Sequence, residues 1–292
     1  MPRQFALGFL FAITLCFLFQ SLRNLLFMQP ITPLARNLLF INIAIFIAQN
    51  VLASQVNLVN LFGFHYFQSP AFQPYQLITY MFLHANLSHI FGNMLALYMF
   101  GSILEHLLGA KRFLIFYLVC GVGAALFHAG IHYIEVHQVT EAATAYFNNP
   151  TPIGFENFLM TYANDNYQLN QSFINQYLDN PQNLSMIEES KTAVMTIVEQ
   201  ATISLPMIGA SGSVFGILVA FGMIFPNLRL MLLFPPIPMK AKYLVTIYIA
   251  IEILLTMRNS PTDNVAHLAH LGGALVGFTL IKIWYGNSHQ QI

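Results

Sequence analysis

Charge is what this sequence has least of. Only 8% of its 292 residues are Asp, Glu, Lys or Arg. A soluble globular domain carries roughly 25%, so this chain cannot cover a soluble surface of its size. The two signs cancel, with 11 basic and 11 acidic residues, which removes any bulk attraction to nucleic acid, and no nucleic-acid partner is expected. Cysteine is nearly missing. Cys16 and Cys120 both sit inside apolar runs, which excludes a disulfide framework or a cysteine metal cluster and leaves two small buried hydrophobes. Long-period repeats and low-complexity tracts are absent as well. What is present is apolar: 57% of the residues are hydrophobic. The fold class that follows is all-α, a polytopic membrane helix bundle.

Six apolar runs approach the roughly 20 residues that a crossing needs. They are Leu38 to Ala53, Ile90 to Leu108, Phe113 to Ile134, Met207 to Phe225, Tyr243 to Met257 and Leu268 to Tyr285. A further apolar stretch, Phe5 to Phe19, lacks a small-x-small cleavage site after it. Residues 1–33 are therefore an N-terminal hydrophobic segment of open nature: an extra span, an in-plane helix, a signal-like segment or an extension before a start at Met28. Basic residues flank alternate ends of the runs. Arg23, Arg36, Lys111, Arg112, Arg229, Lys240, Lys242 and Lys282 fall on one side of a six-span layout, and most acids fall on the other. The basic side is expected to be the cytoplasm, with the C-terminus and tail 286–292 there.

Between the third and fourth spans, residues 138–206 turn polar. Ser185 and Glu188 form a capping-box pattern, and Ile187, Val194, Ile197, Val198 and Ala201 then share one helical face. The expectation is an outer helical insert within a core that runs from 34 to 285.

Polar residues inside apolar runs are costly and point to function. There are three such clusters. His89 and Asn93, spaced i, i+4, share a face of the second span, with His84 upstream. Gly209-Ala210-Ser211-Gly212 opens the fourth. In the last span His267 and His270 stand at i, i+3, and Gly273 and Gly277 continue the face of His270. Each has a bland reading as helix-to-helix packing, since His and Asn bond across helices and small residues let backbones approach. All three fall at one depth of the layout, however. Two glycine ridges in contact would bring Ser211 and His270 within hydrogen-bond reach.

"GASG" at Gly209 to Gly212, "AHLGGALVG" at Ala269 to Gly277 and "HANLSHIFGN" at His84 to Asn93 resemble the motifs of the rhomboid intramembrane serine proteases. That resemblance implies a serine endopeptidase that cleaves transmembrane-helix substrates near the outer membrane face. Ser211 is then the nucleophile and His270 the general base. His89, Asn93 and the Gly209 stretch, with the Ser211 amide, serve the oxyanion and substrate. Phe215 stands where many members have a tyrosine that stacks on the histidine, Glu105 matches a structural glutamate, and Tyr75-Gln76 replaces a common Trp-Arg pair. No acid is placed as a third member: Glu252 lies in the fifth span and Asp263 two turns before the histidine, so the reading is a dyad.

Water is expected to enter through a polar cavity of His84, His89, Asn93, Ser211, Ser213 and His267. Gly212, Gly273 and Gly277 provide close packing, while the fifth span and the insert are read as gate and lid. No cofactor or metal is expected. The partners are transmembrane substrates and the lipid bilayer, the expected location is a bacterial inner membrane, and the oligomeric state is open. Two other classes compete. One is a non-catalytic rhomboid-like binder of transmembrane clients. The other is a membrane protein that binds metal through His84, His89, His267 and His270.

Overall fold

The computed structural model describes residues 30–163, 167–168, 170–203, 206–231, 237–258 and 267–285. The N-terminal stretch up to residue 29 and the tail 286–292 lie outside the described residues, and with them the expectations for Phe5 to Phe19, Cys16 and the tail. Helices dominate: α1 (Pro33–Val51), α2 (Leu58–Phe62), α3 (Gln76–Thr79), α4 (Leu87–Leu108), α5 (Ala110–Asn148), α6 (Pro152–Tyr162), α7 (Gln171–Asp179), α8 (Leu184–Thr202), α9 (Ser211–Ile224), α10 (Ala241–Arg258) and α11 (His267–Tyr285). A two-stranded antiparallel hairpin, β1 (Arg229–Met231) with β2 (Pro238–Lys240), precedes α10. The sequence patterns gave no sign of it. Among the described residues, α1, α4, α5 and α11 are long and apolar enough to cross a membrane, and α9 is a shorter apolar helix.

The residues form two compact units. The first takes the described residues within Met1–Phe64, Gln73–His128 and Pro206–Ile292. At its centre is α9, buried at every position from Gly212 to Gly222. Phe221 packs on Phe100 of α4, ring centroids 4.7 Å apart. The peripheral helices instead turn large apolar side chains outward, among them Phe40, Ile47 and Val51 on α1 and Leu275, Phe278 and Ile283 on α11. Apolar exposure on that scale needs an apolar solvent or partner.

Polar groups in this unit are paired across helices. The buried Glu105 carboxylate accepts from the backbone N–H of Leu34 at 3.1 Å and of Ala35 at 2.7 Å. Two otherwise orphaned amides at the N-terminus of α1 are satisfied by a charge of the favourable sign. The Tyr75-Gln76 pair pins the preceding loop: the Tyr75 hydroxyl and the Gln76 Nε2 both donate to the Leu61 carbonyl, at 3.2 and 3.1 Å. In α4 the run Leu97–Gly101 is a π-helical bulge.

The second unit, His65–Phe72 with the described residues of Ala129–Leu205, has its own core. Phe155, Leu159, Ile174, Tyr177 and Val194 are buried there, and Ile187, Val198 and Ala201 pack against them, so the apolar stripe of α8 faces inward as its spacing requires. Its cap differs from the expected one. Asn183, not Ser185, is the N-cap, and its side chain accepts from the amides of Ser185 and Met186. Asn caps at least as well as Ser, and the helix starts two residues earlier in consequence.

Glu105→Ala leaves the Leu34 and Ala35 amides buried without an acceptor. It is expected to cost about 2–4 kcal/mol of stability, read as a lower melting temperature in detergent.

Candidate active site

Ser211 is the first residue of α9 because the chain cannot be helical just before it. Met207 exchanges two backbone hydrogen bonds with Phe64, each 2.9 Å, and the Gly209 amide donates to the Tyr80 carbonyl at 2.9 Å. Gly209 has φ +125°, a conformation that L side chains rarely adopt. The first half-turn of the apolar run is therefore extended, and the helix begins four residues later than the run. Ala210 provides no side-chain cap, and the Val214 amide is bonded to the Ala210 carbonyl, so the amides ahead of it have no carbonyl one turn back to bond within the helix.

The helices α9 and α11 touch backbone to backbone. A Cβ added to Gly273 would fall on the Gly212 carbonyl oxygen, and one on Gly277 would lie 2.7 Å from the Gly216 Cα. One on Gly216 would lie 3.1 Å from the Gly273 carbonyl. The ridges read from the sequence are thus in contact, and in this register the His270 ring lies flat on Phe215, centroids 4.4 Å apart and planes 9° from parallel. Phe215 and Ser211 share a face of α9, being i and i+4, which puts the imidazole beside the serine. The hydrogen bonds of the described residues do not include one between Ser211 Oγ and His270. Catalytic pairs are often long before substrate binds.

The Nδ1 edge of His270 is occupied. Glu252 of α10 approaches it with Oε2 at 2.9 Å, and the same oxygen lies 2.6 Å from His267 Nδ1. The carboxylate is buried. Sequence reasoning missed this residue and favoured a dyad. Only their positions along the chain hinted at it: Glu252 sits six residues before the end of α10 and His270 three after the start of α11. His267 was expected to line a hydrated path and instead holds this carboxylate.

The ring of His89 lies against Gly209. A Cβ there would lie 2.6 Å from His89 Cε1, 2.7 Å from Nε2 and 3.7 Å from Ser211 Oγ. The space that a Gly209 side chain would fill therefore borders both the imidazole and the hydroxyl. The Ala85 amide donates to His89 Nδ1 at 3.3 Å. A neutral ring that accepts at Nδ1 carries its proton on Nε2, the ring nitrogen nearer to Gly209. Asn93 is buried, and one of its amide hydrogens goes to the His89 carbonyl at 3.1 Å.

Two members of the expected water cavity are elsewhere. His84 is fully buried. It meets the His89 ring edge at 5.0 Å, its backbone is clamped by Gln49 of α1, and burial pushes its imidazole down to about 3. Neither of its ring nitrogens finds a hydrogen bond of good geometry among the described residues. Ser213, also fully buried, donates to the Tyr117 carbonyl at 2.7 Å. Both belong to the packed wall, because α1 and α5 close over them. The four-histidine cage is not assembled either. Glu252, His267 and His270 do bring three potential donor atoms within 4.8 Å of one another. Their short oxygen-to-nitrogen distances are those of hydrogen bonds, in which an ionised carboxylate can only accept.

Gly209→Ala places a methyl against the His89 ring and strains the backbone, so turnover is expected to vanish. Gly109 also has positive φ, +76°, but open space around it. Gly109→Ala is expected to cost about 1–3 kcal/mol of stability through backbone strain with turnover per folded molecule unchanged. Melting curves and cleavage rates on both variants check this.

In comparison with known proteins, the family described as Rhomboid domain matches residues 71–137 and 177–287, more than half of the chain. Rhomboid protease AarA of Providencia stuartii is 27% identical to this chain over 258 residues, 86% of this chain and 72% of the relative.

Proposed function

The chain belongs to the rhomboid family, and on that premise we propose that it is an intramembrane serine endopeptidase that cleaves transmembrane segments of other proteins. The observation that carries the reading is the arrangement around Ser211. A hydroxyl at the start of a buried helix shares a face with the ring that holds His270, and the Nε2–H edge of His89 and that hydroxyl both border the space left by the missing side chain of Gly209.

The reaction is acyl transfer. Ser211 Oγ attacks the scissile carbonyl while its proton moves to His270 Nε2. The oxyanion accepts hydrogen bonds from His89 Nε2–H, the free amide hydrogen of Asn93 and the Ser211 backbone N–H. His270 returns the proton to the leaving amine. Water then attacks the ester with His270 again as base.

Six helices, α1, α4, α5, α9, α10 and α11, are the crossings in this reading. The 14 residues of α9 extend only about 21 Å at 1.5 Å per residue, less than the roughly 30 Å of a hydrocarbon core. Ser211 therefore lies below the headgroups. Extended backbone at that depth is tolerated where protein satisfies it, as Phe64 and Tyr80 do for Met207 and Gly209. A helical substrate hides its carbonyls, so segments weakened by glycine are the favoured class. The basic flanks put the Lys111-Arg112 link and the β1–β2 hairpin in the cytoplasm of a cell membrane.

A fluorophosphonate probe is expected to label Ser211, and Ser211→Ala and His270→Ala to abolish cleavage of a transmembrane substrate. Absence of labelling in the intact protein would favour a non-catalytic binder. Asn93→Ala is expected to lower kcat by about 10²-fold, as for the loss of one oxyanion donor. An unchanged kcat would return Asn93 to helix packing. For orientation, a cysteine placed at Ser185 should react with an impermeant reagent from outside, and one at Lys240 only from inside.

A further inference from the structure

We propose that Glu252 is a positioning residue for the base. It fixes the tautomer and orientation of His270, and His267 in turn fixes Glu252. The proposal rests on the protease reading above.

Two contacts decide how the His270 ring is held. Phe215 covers one face, which sets the plane of the ring but not which edge meets the serine. Oε2 of Glu252 at Nδ1 sets the edge. An acceptor-only carboxylate there keeps the proton on Nδ1, so the lone pair is on Nε2, where the Ser211 proton must arrive. When that proton transfers, the imidazole gains a positive charge beside the carboxylate, and no proton moves onto Glu252. That is the part an orienting acid plays in a serine triad. His89 on α4, His267 on α11 and Glu252 on α10 are the titratable groups that face this ring.

His267 has a separate job. Its Nδ1 meets the same oxygen from one turn away on α11, at 2.6 Å. The carboxylate is thereby caught between two donors on one helix face, which a single flexible hydrogen bond would not achieve. A buried carboxylate is a costly way to join two helices, and an apolar side chain of similar size would pack there at less expense. Its place at the Nδ1 edge explains its presence.

The carboxylate is also delivered along a narrow seam. Val245, Ile249 and Glu252 lie on one stripe of α10, and the first two pack on the cluster of Phe215, Val219 and Ala274. Ile247, Leu254 and Met257 face outward. The orientation of the base therefore depends on a helix attached along a single stripe.

The test uses the full chain in detergent, a transmembrane substrate and the fluorophosphonate probe. Glu252→Gln is expected to lower kcat by at least about 100-fold with KM within about threefold, and Glu252→Asp to recover at least about tenfold of the loss. Histidine-selective 15N NMR on the unmodified protein needs no variant to fold, and it should report His270 as the Nδ1–H tautomer. A kcat for Glu252→Gln within about threefold of the parent, or a loss confined to KM, overturns the proposal. So does an Nε2–H tautomer of His270 in the unmodified protein. If the unmodified protein neither cleaves nor labels at Ser211, the protease reading itself fails. If it does both while Glu252→Gln keeps its kcat, only the positioning role fails.

Discussion

At its centre the contact between α9 and α11 is glycine backbone against glycine backbone, and the site depends on that. Gly212 and Gly216 on one helix meet Gly273 and Gly277 on the other, backbone against backbone. Side chains can repack by changing rotamer, whereas two backbones in contact cannot slide without collision. The register between a residue near the start of α9 and one near the start of α11 is consequently set by carbonyls and Cα atoms. The stacking of His270 on Phe215 follows from that register and needs no further specification. The cost of the seam is the small apolar area it buries, which the surrounding aromatic packing of Phe100, Phe221, Phe113 and Phe116 offsets.

Around the seam, polar groups find their partners on other helices. Glu105 satisfies the N-terminus of α1, the Tyr80 hydroxyl donates to the Gly121 carbonyl at 2.7 Å, and Gln49 bonds both backbone groups of His84. In an apolar surrounding, each such bond acts as a registration mark, since the alternative is a buried group without a partner. The stretches 83–86 and 206–210 are held this way. They in turn fix the two edges of the site, His89 on one and the Ser211 amide on the other.

Much of the site was legible because its residues recur at helical spacing. The glycine ridges and the i, i+4 pair of His89 and Asn93 depend on the 3.6-residue period alone, whereas the match of Phe215 to His270 was carried by the resemblance to the rhomboid motifs. What could not be read came from contacts between segments. Glu252 stands 18 residues from His270, a separation with no meaning in any periodicity, and only the return of the chain makes them neighbours. Helix ends were misplaced for local reasons: Gly209 unwinds the start of an apolar run, and Asn183 outcompetes a serine two residues on. The end of α5 was misjudged in the other direction. Its apolar run stops at Ile134 but the helix continues to Asn148, because loss of apolar character does not break a helix that lacks proline and glycine there.

The shared carboxylate also bears on how the chain is built. Within 18 residues α10 carries Lys242, Glu252 and Arg258, and α10 is not among the four helices apolar enough to cross a membrane unaided. In the six-span reading proposed above, where α10 is a crossing, a charged group at its centre would cost about 2.5–3.5 kcal/mol during insertion. The groups that shield Glu252 are on α11, which leaves the ribosome later. The two helices are thus best inserted together as a hairpin, with the histidines neutralising the penalty as they arrive. The same contact that orients the base would then also order the biogenesis of the protein, joining α10 to α11 before either is settled in the bilayer.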